Sequence, residues 1–106
     1  MNAIEKKVLE RLSHLIRTRF PDAQLILFGS RARGDADPES DMDVLVLIEA
    51  DDMPEARRFI SDCAWEAGFD NDLIVVPVVY RKSDWEYGPE RYSLLAKAVQ
   101  RDGIAL

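Results

Sequence analysis

The stretch Phe28-Gly29-Ser30-Arg31-Ala32-Arg33-Gly34, followed after five residues by Ser40-Asp41-Met42-Asp43 and then Val44-Leu45-Val46-Leu47-Ile48, decides how the chain is read. Leu25 to Phe28 is a short apolar run suited to a buried strand. Val44 to Ile48 is too short for a helix and rich in β-branched residues, which predicts a central strand. Between them, Ser30 to Ser40 holds Gly34, Pro38 and five charged residues, which predicts a loop with one helical turn. A strand ending in Gly-Ser lets the backbone approach a ligand closely and offers amides and a hydroxyl to phosphate oxygens.

Asp41 and Asp43 are two apart at the mouth of the second strand. Alternation therefore puts both carboxylates on one face, with Cα atoms roughly 6.5 to 7 Å apart. Such a pair can grip one or two cations, and two metals about 3.5 to 4 Å apart can activate a hydroxyl and hold a triphosphate for in-line displacement. Asp72 stands before Leu73-Ile74-Val75-Val76, where strand pairing could bring it beside the first two. Three crowded carboxylates repel one another, so a divalent cation is the natural resolution, and Mg²⁺ suits an all-oxygen site.

Outward from this centre, Ile4, Val8, Leu12, Leu15 and Ile16 recur mostly at three and four, predicting a helix from Asn2 to about Arg17, with Asn2 and Glu5 as a capping box. Phe20-Pro21-Asp22 ends it. The acidic residues Glu49, Asp51 and Asp52 are expected to cap the next helix, the clearest in the chain, which Pro54 opens, with Ala56, Phe59, Ile60, Cys63, Ala64 and Ala67 on its stripe and Gly68 closing it. A third strand is expected from about Asp72 to Val79, its far half at an edge or bulge because of Pro77. Pro89 starts a last helix through about Gln100, with Leu94, Leu95, Ala98 and Val99 on one face. The order helix, strand, loop, strand, helix, strand, helix predicts an α/β (α+β) fold, a small sheet with helices on one or both faces.

At 106 residues the chain is expected to be a single domain, 1–106. A net charge of −6 disfavours direct binding of long nucleic acid, whereas a small nucleotide carrying its own cation remains compatible. No run approaches a membrane span and Met1 to Glu10 lacks a signal-peptide pattern, which points to the cytoplasm. A single cysteine, Cys63, excludes an intramolecular disulfide and a multi-cysteine zinc site.

Gly29-Ser30, ten intervening residues and Asp41-Met42-Asp43 resemble the signature of the polymerase-beta-like nucleotidyltransferase superfamily. Gly-Ser-Arg-Ala-Arg-Gly followed by Ser-Asp-Met-Asp-Val-Leu-Val is similar to its minimal nucleotidyltransferase domains, over a stretch from Leu25 through Asp72 to Asp102-Gly103-Ile104. The resemblance implies that fold and a Mg²⁺-dependent transfer of AMP from ATP to a hydroxyl, in some members a tyrosine, of a HEPN-domain toxin beside which such proteins are commonly encoded as antitoxins. It also implies that Gly29 and Ser30 hold the triphosphate, that Asp41 and Asp43 bind Mg²⁺, and that Asp72 is the third carboxylate and a candidate base, with Asp70 two residues earlier as its competitor. Arg31 and Arg33 could each contact phosphates, although loop arginines are usually just exposed; Arg33, flanked by Ala32 and Gly34 as in the family pattern, is the better candidate of the two.

His14 falls between the apolar positions of its helix and reads as solvated. Trp85 and Tyr87 read first as local packing, and second as a partner surface or a cover for the nucleotide. Two function classes follow from the same residues: an enzyme that transfers AMP, and an antitoxin that occludes its toxin with a weak or inactive nucleotide site.

Overall fold

A computed structural model of the chain describes residues 1–35, 37 and 39–106, so the loop reading at Pro38 lies outside the described residues. Helix α1 (Ala3–Arg17) leads into strand β1 (Gln24–Phe28), a short helix α2 (Ser30–Arg33), strand β2 (Met42–Ile48), helix α3 (Met53–Phe69), strand β3 (Val75–Arg81), helix α4 (Lys82–Tyr87), a 3-10 turn (Pro89–Tyr92), helix α5 (Leu94–Asp102) and strand β4 (Ile104–Ala105). The sheet runs β3-β2-β1-β4, with β1 antiparallel to both β2 and β4 and β2 parallel to β3. A parallel pair needs a crossover, which α3 supplies.

Every residue of β2 from Val44 to Ile48 is buried, which fits its central position. Period-two alternation divides it between two layers. Val44, Val46 and Ile48 pack with Leu25 and Leu27 against α1 and α3, whereas Leu45 and Leu47 pack with Phe28 against Val99 of α5. Helices thus cover both faces, and the α/β expectation holds.

Both caps read from the sequence are present: Asn2 and Glu5 exchange backbone and side-chain hydrogen bonds, and the Asp52 carboxylate accepts from the Glu55 amide at 3.0 Å. Glu49 does not cap α3; it accepts from the Ser83 amide and so starts α4, a helix the periodicity did not announce. Ile4 is 52% exposed, and the buried stripe of α1 runs through Val8, Leu9, Leu12 and Ile16.

The strand expected from Asp72 begins only at Val75. Gly68 does not close α3 but lies within it, where a Cβ would stand 2.0 Å from the Leu73 carbonyl oxygen. The Asn71 and Leu73 amides both donate to the Gly68 carbonyl, so residues 70–73 are consumed in a turn, with Asp72 at φ 52. Pro77 lies in an edge strand, as its missing N–H requires. The single helix expected from Pro89 is broken at Ser93, which is extended and caps α5 by accepting from the Ala96 amide at 3.0 Å. That break turns Leu94 outward, 84% exposed, while Ala96 and Val99 are buried.

Candidate functional site

The register sets Phe28 opposite Asp43 on one side of β2 and Val76 on the other. Directly opposed residues share a face, so the Asp43 carboxylate rises between two apolar side chains at the start of the central strand. Gly29, the next residue along β1, has φ 79 and ψ −159, a conformation open essentially to glycine alone. A Cβ there would stand 2.8 Å from Asp43 Oδ2. The missing side chain therefore lets the carboxylate lean against the Gly-Ser bend.

Ser30 opens α2 immediately beyond, and the amides of Ser30 and Arg31, first in the turn, have no acceptor within it. Asp41 is exposed one pleat before Asp43. Burial first, and the charge of Asp41 second, lift the Asp43 carboxyl above its ordinary value. Two acidic side chains that crowd each other in this way, offering only oxygen donors, fit a hard divalent cation such as Mg²⁺.

Asp72 is not brought alongside them by the ladder. The Met42 amide donates to the Ile74 carbonyl at 2.9 Å and Asp43 pairs with Val76, so the neighbouring strand offers Ile74 and Val76 at this level. Asp72 lies in the preceding turn and lines a separate concavity between α3 and β3; Asp70 is the C-cap of α3. Among the described residues, no three His, Cys, Asp or Glu side chains converge in a metal-holding arrangement. The displacement follows from the tight return at Gly68, which delays the strand.

Arg31, read as an exposed loop residue, is 7% exposed. Its Nε and Nη2 donate to the Ser40 carbonyl at 2.9 and 2.7 Å, and its Nη1 pairs with Glu5 Oε2 at 3.2 Å. Glu5 is itself buried and spends its other oxygen on the Asn2 amide. The arginine thus ties the residue before Asp41 to the start of α1, a role the linear sequence does not announce because its partner lies 26 residues away.

Arg33 is two-fifths exposed and paired with Asp35 and Asp102, so a phosphate contact would compete with two carboxylates. Arg101 first, then Arg33, hold the Asp102 carboxyl below its ordinary range. Trp85 packs on Tyr80 with ring centroids 5.3 Å apart, in the local role read first, while Tyr87 is 79% exposed. His14 is exposed and Cys63 buried, as expected.

Residues 6–97 match the family described as Nucleotidyltransferase domain. A Methanocaldococcus jannaschii protein named "Putative protein adenylyltransferase MJ0141" is 38% identical over 60 residues, 57% of this chain and 61% of that protein. The chain therefore spans under two thirds of that relative's length. A chain of a solved toxin-antitoxin structure with AMP-PNP has the same fold, with a TM-score of 0.59 at 24% identity over 95% of this chain and 70% of its own.

Proposed function

The chain belongs to the nucleotidyltransferase domain family, and from that premise we propose that it transfers AMP from ATP to a tyrosine hydroxyl of a HEPN-type toxin in the cytoplasm, with Mg²⁺ as cofactor, and thereby acts as an antitoxin. One observation carries this reading: the Asp43 carboxylate rests against the Gly29-Ser30 bend with Asp41 one pleat away. The name of the Methanocaldococcus jannaschii relative and the toxin-antitoxin origin of the structural neighbour support the acceptor class.

The acceptor oxygen attacks the α-phosphorus, the bond from that phosphorus to the bridging oxygen of the β-phosphate breaks, pyrophosphate leaves, and the hydroxyl proton passes to solvent. When bound, Mg²⁺ would neutralise charge developing on the α-phosphate and the leaving group. Asp41 and Asp43 would hold it, and the amides and hydroxyl at Ser30 would orient the triphosphate. In this reading Arg31 fixes Ser40 and hence the approach to Asp41. Asp72, which stands in the turn before β3, is not assigned to the metal in this reading.

The test is label transfer from ATP radiolabelled at the α-phosphate to the product of the neighbouring gene. Wild type with Mg²⁺ should label it and the Asp41→Asn, Asp43→Asn protein should not; equal labelling by both would refute the assignment. The placement of Ile74 and Val76 where a third carboxylate was expected favours a second reading, an antitoxin that occludes its toxin with little turnover. In that case the doubly substituted protein still binds and silences the toxin, which stays unmodified.

A further inference from the structure

Trp65, Phe69 and Ile74 are 67%, 62% and 66% exposed. Contiguous apolar side chains of this size, left in water, mark contact surfaces. Trp65 and Phe69 stand one turn apart on α3 and stack with centroids 4.6 Å apart. With Ile74, Gly68 and Pro77 they line a concavity of about 500 Å³ beside the edge strand β3. The Ile74 carbonyl accepts from the Met42 amide, between the two aspartates in sequence, whereas Trp65 and Phe69 belong to the α3 side of the sheet and Asp43 to the opposite side, so the edge strand β3 is the border between platform and proposed reacting centre.

The charge around the platform is acidic. Asp72 lines the concavity, Asp70 follows Phe69, and Asp62 stands three residues before Trp65 and seven before Phe69, on the same helical stripe. None of these three carboxylates has an ion-pair partner among the described residues, whereas Glu66 is engaged by Arg11 at 2.8 Å. The nearest cation on the stripe, Arg58, is two turns from Trp65. A second copy of a chain with net charge −6 would set acid against acid here, and a nucleic acid would be repelled more strongly.

We propose that the Trp65-Phe69-Ile74 platform is the docking surface for the acceptor protein, which presents an apolar cluster flanked by lysine or arginine and extends past the open edge of β3 to bring its hydroxyl to Asp41 and Asp43. This rests on the reading that the chain transfers a nucleotidyl group to a protein. Docking strength and metal-nucleotide binding then reside on different side chains and separate experimentally.

The probe is a pair of amphipathic helical peptides with the same leucine face, one bearing lysines and the other glutamates on its polar face. In a Trp85→Phe protein, Trp65 is the sole tryptophan and reports contact through its emission. The lysine peptide should shift that emission to the blue and bind roughly tenfold more tightly than the glutamate peptide, the advantage fading as salt is raised. Replacing Phe69 and Ile74 by serine should abolish the difference while leaving binding of ATP with Mg²⁺ unchanged. Equal binding of the two peptides, no response to the lysine peptide, or sedimentation as a dimer in which Trp65 is shielded from acrylamide would each overturn the proposal. If the lysine peptide binds as expected but wild type does not bind ATP with Mg²⁺, the docking surface stands and the transfer reading falls.

Discussion

Asp43 carries the tension between folding and function at the scale of one side chain. Its carboxyl value is raised by burial between Phe28 and Val76 and by Asp41, so the folded chain holds that proton more readily than the unfolded chain. The stabilising contribution of the protonated group is complete below the unfolded value and is lost as pH rises through the folded one. At neutral pH the ionised form therefore costs stability. Asp43→Asn should raise the thermal midpoint at neutral pH, with a gain that shrinks on acidification through the carboxylate range, and should abolish the rise that ATP with Mg²⁺ gives wild type. Calorimetry across pH reads both effects.

Arg31 tests a different balance. Arg31→Met leaves Glu5 ionised and buried, which should cost on the order of 3 kcal/mol in denaturant unfolding. Adding Glu5→Leu removes the orphaned charge and should return much of that loss. Nucleotide binding should stay weakened in the double variant, because the Ser40 carbonyl remains untethered. Recovery of both properties together would mean that Arg31 acts on stability alone.

At the scale of elements, the strongly periodic segments were legible and the junctions were not. Helices α1 and α3 and strands β1 and β2 announce themselves by spacing and by capping residues close in sequence, Asn2 with Glu5 and Asp52 with Glu55. Gly68 was read as a helix end because glycine commonly is one. Its role is instead to admit the Leu73 carbonyl, a contact visible only once α3 and β3 are packed. The same turn holds Asp72 ahead of β3, three residues before the strand that the spacing had begun at it. Gly68→Ala should accordingly cost about 1 to 3 kcal/mol as an overpacked contact, measurable by denaturant titration. Helix α4 was missed because its N-terminal amide is satisfied by Glu49, 34 residues earlier. The approach of Asp43 to the Gly-Ser bend follows from residues that spacing already marks, whereas the ion pairs of Arg31 with Glu5 and of Arg33 with Asp102 join residues far apart in the chain and leave no local signal.

At the scale of the whole molecule, 20 acidic against 14 basic residues give a field that selects partners. A fluorescein-labelled duplex or single strand should show no anisotropy change with the protein at physiological salt, and binding there would contradict the charge argument. Among the described residues no helix is long and apolar enough to cross a membrane. Beyond the two hydrophobic layers on either side of β2, nine large apolar side chains of the described residues stay in water, and three of them, Trp65, Phe69 and Ile74, gather around one concavity beside α3.

The contact between Arg33 and Asp102 spans 69 residues, and α5 supplies the Val99 side chain that closes the layer over Phe28 and Leu45. Because a ribosome makes the chain from its amino end, the glycine-serine corner emerges long before the helix that braces it. A nascent chain halted before Ser93 would expose Phe28 and leave Arg33 without its distant carboxylate, so the competence of this corner waits on the synthesis of α5.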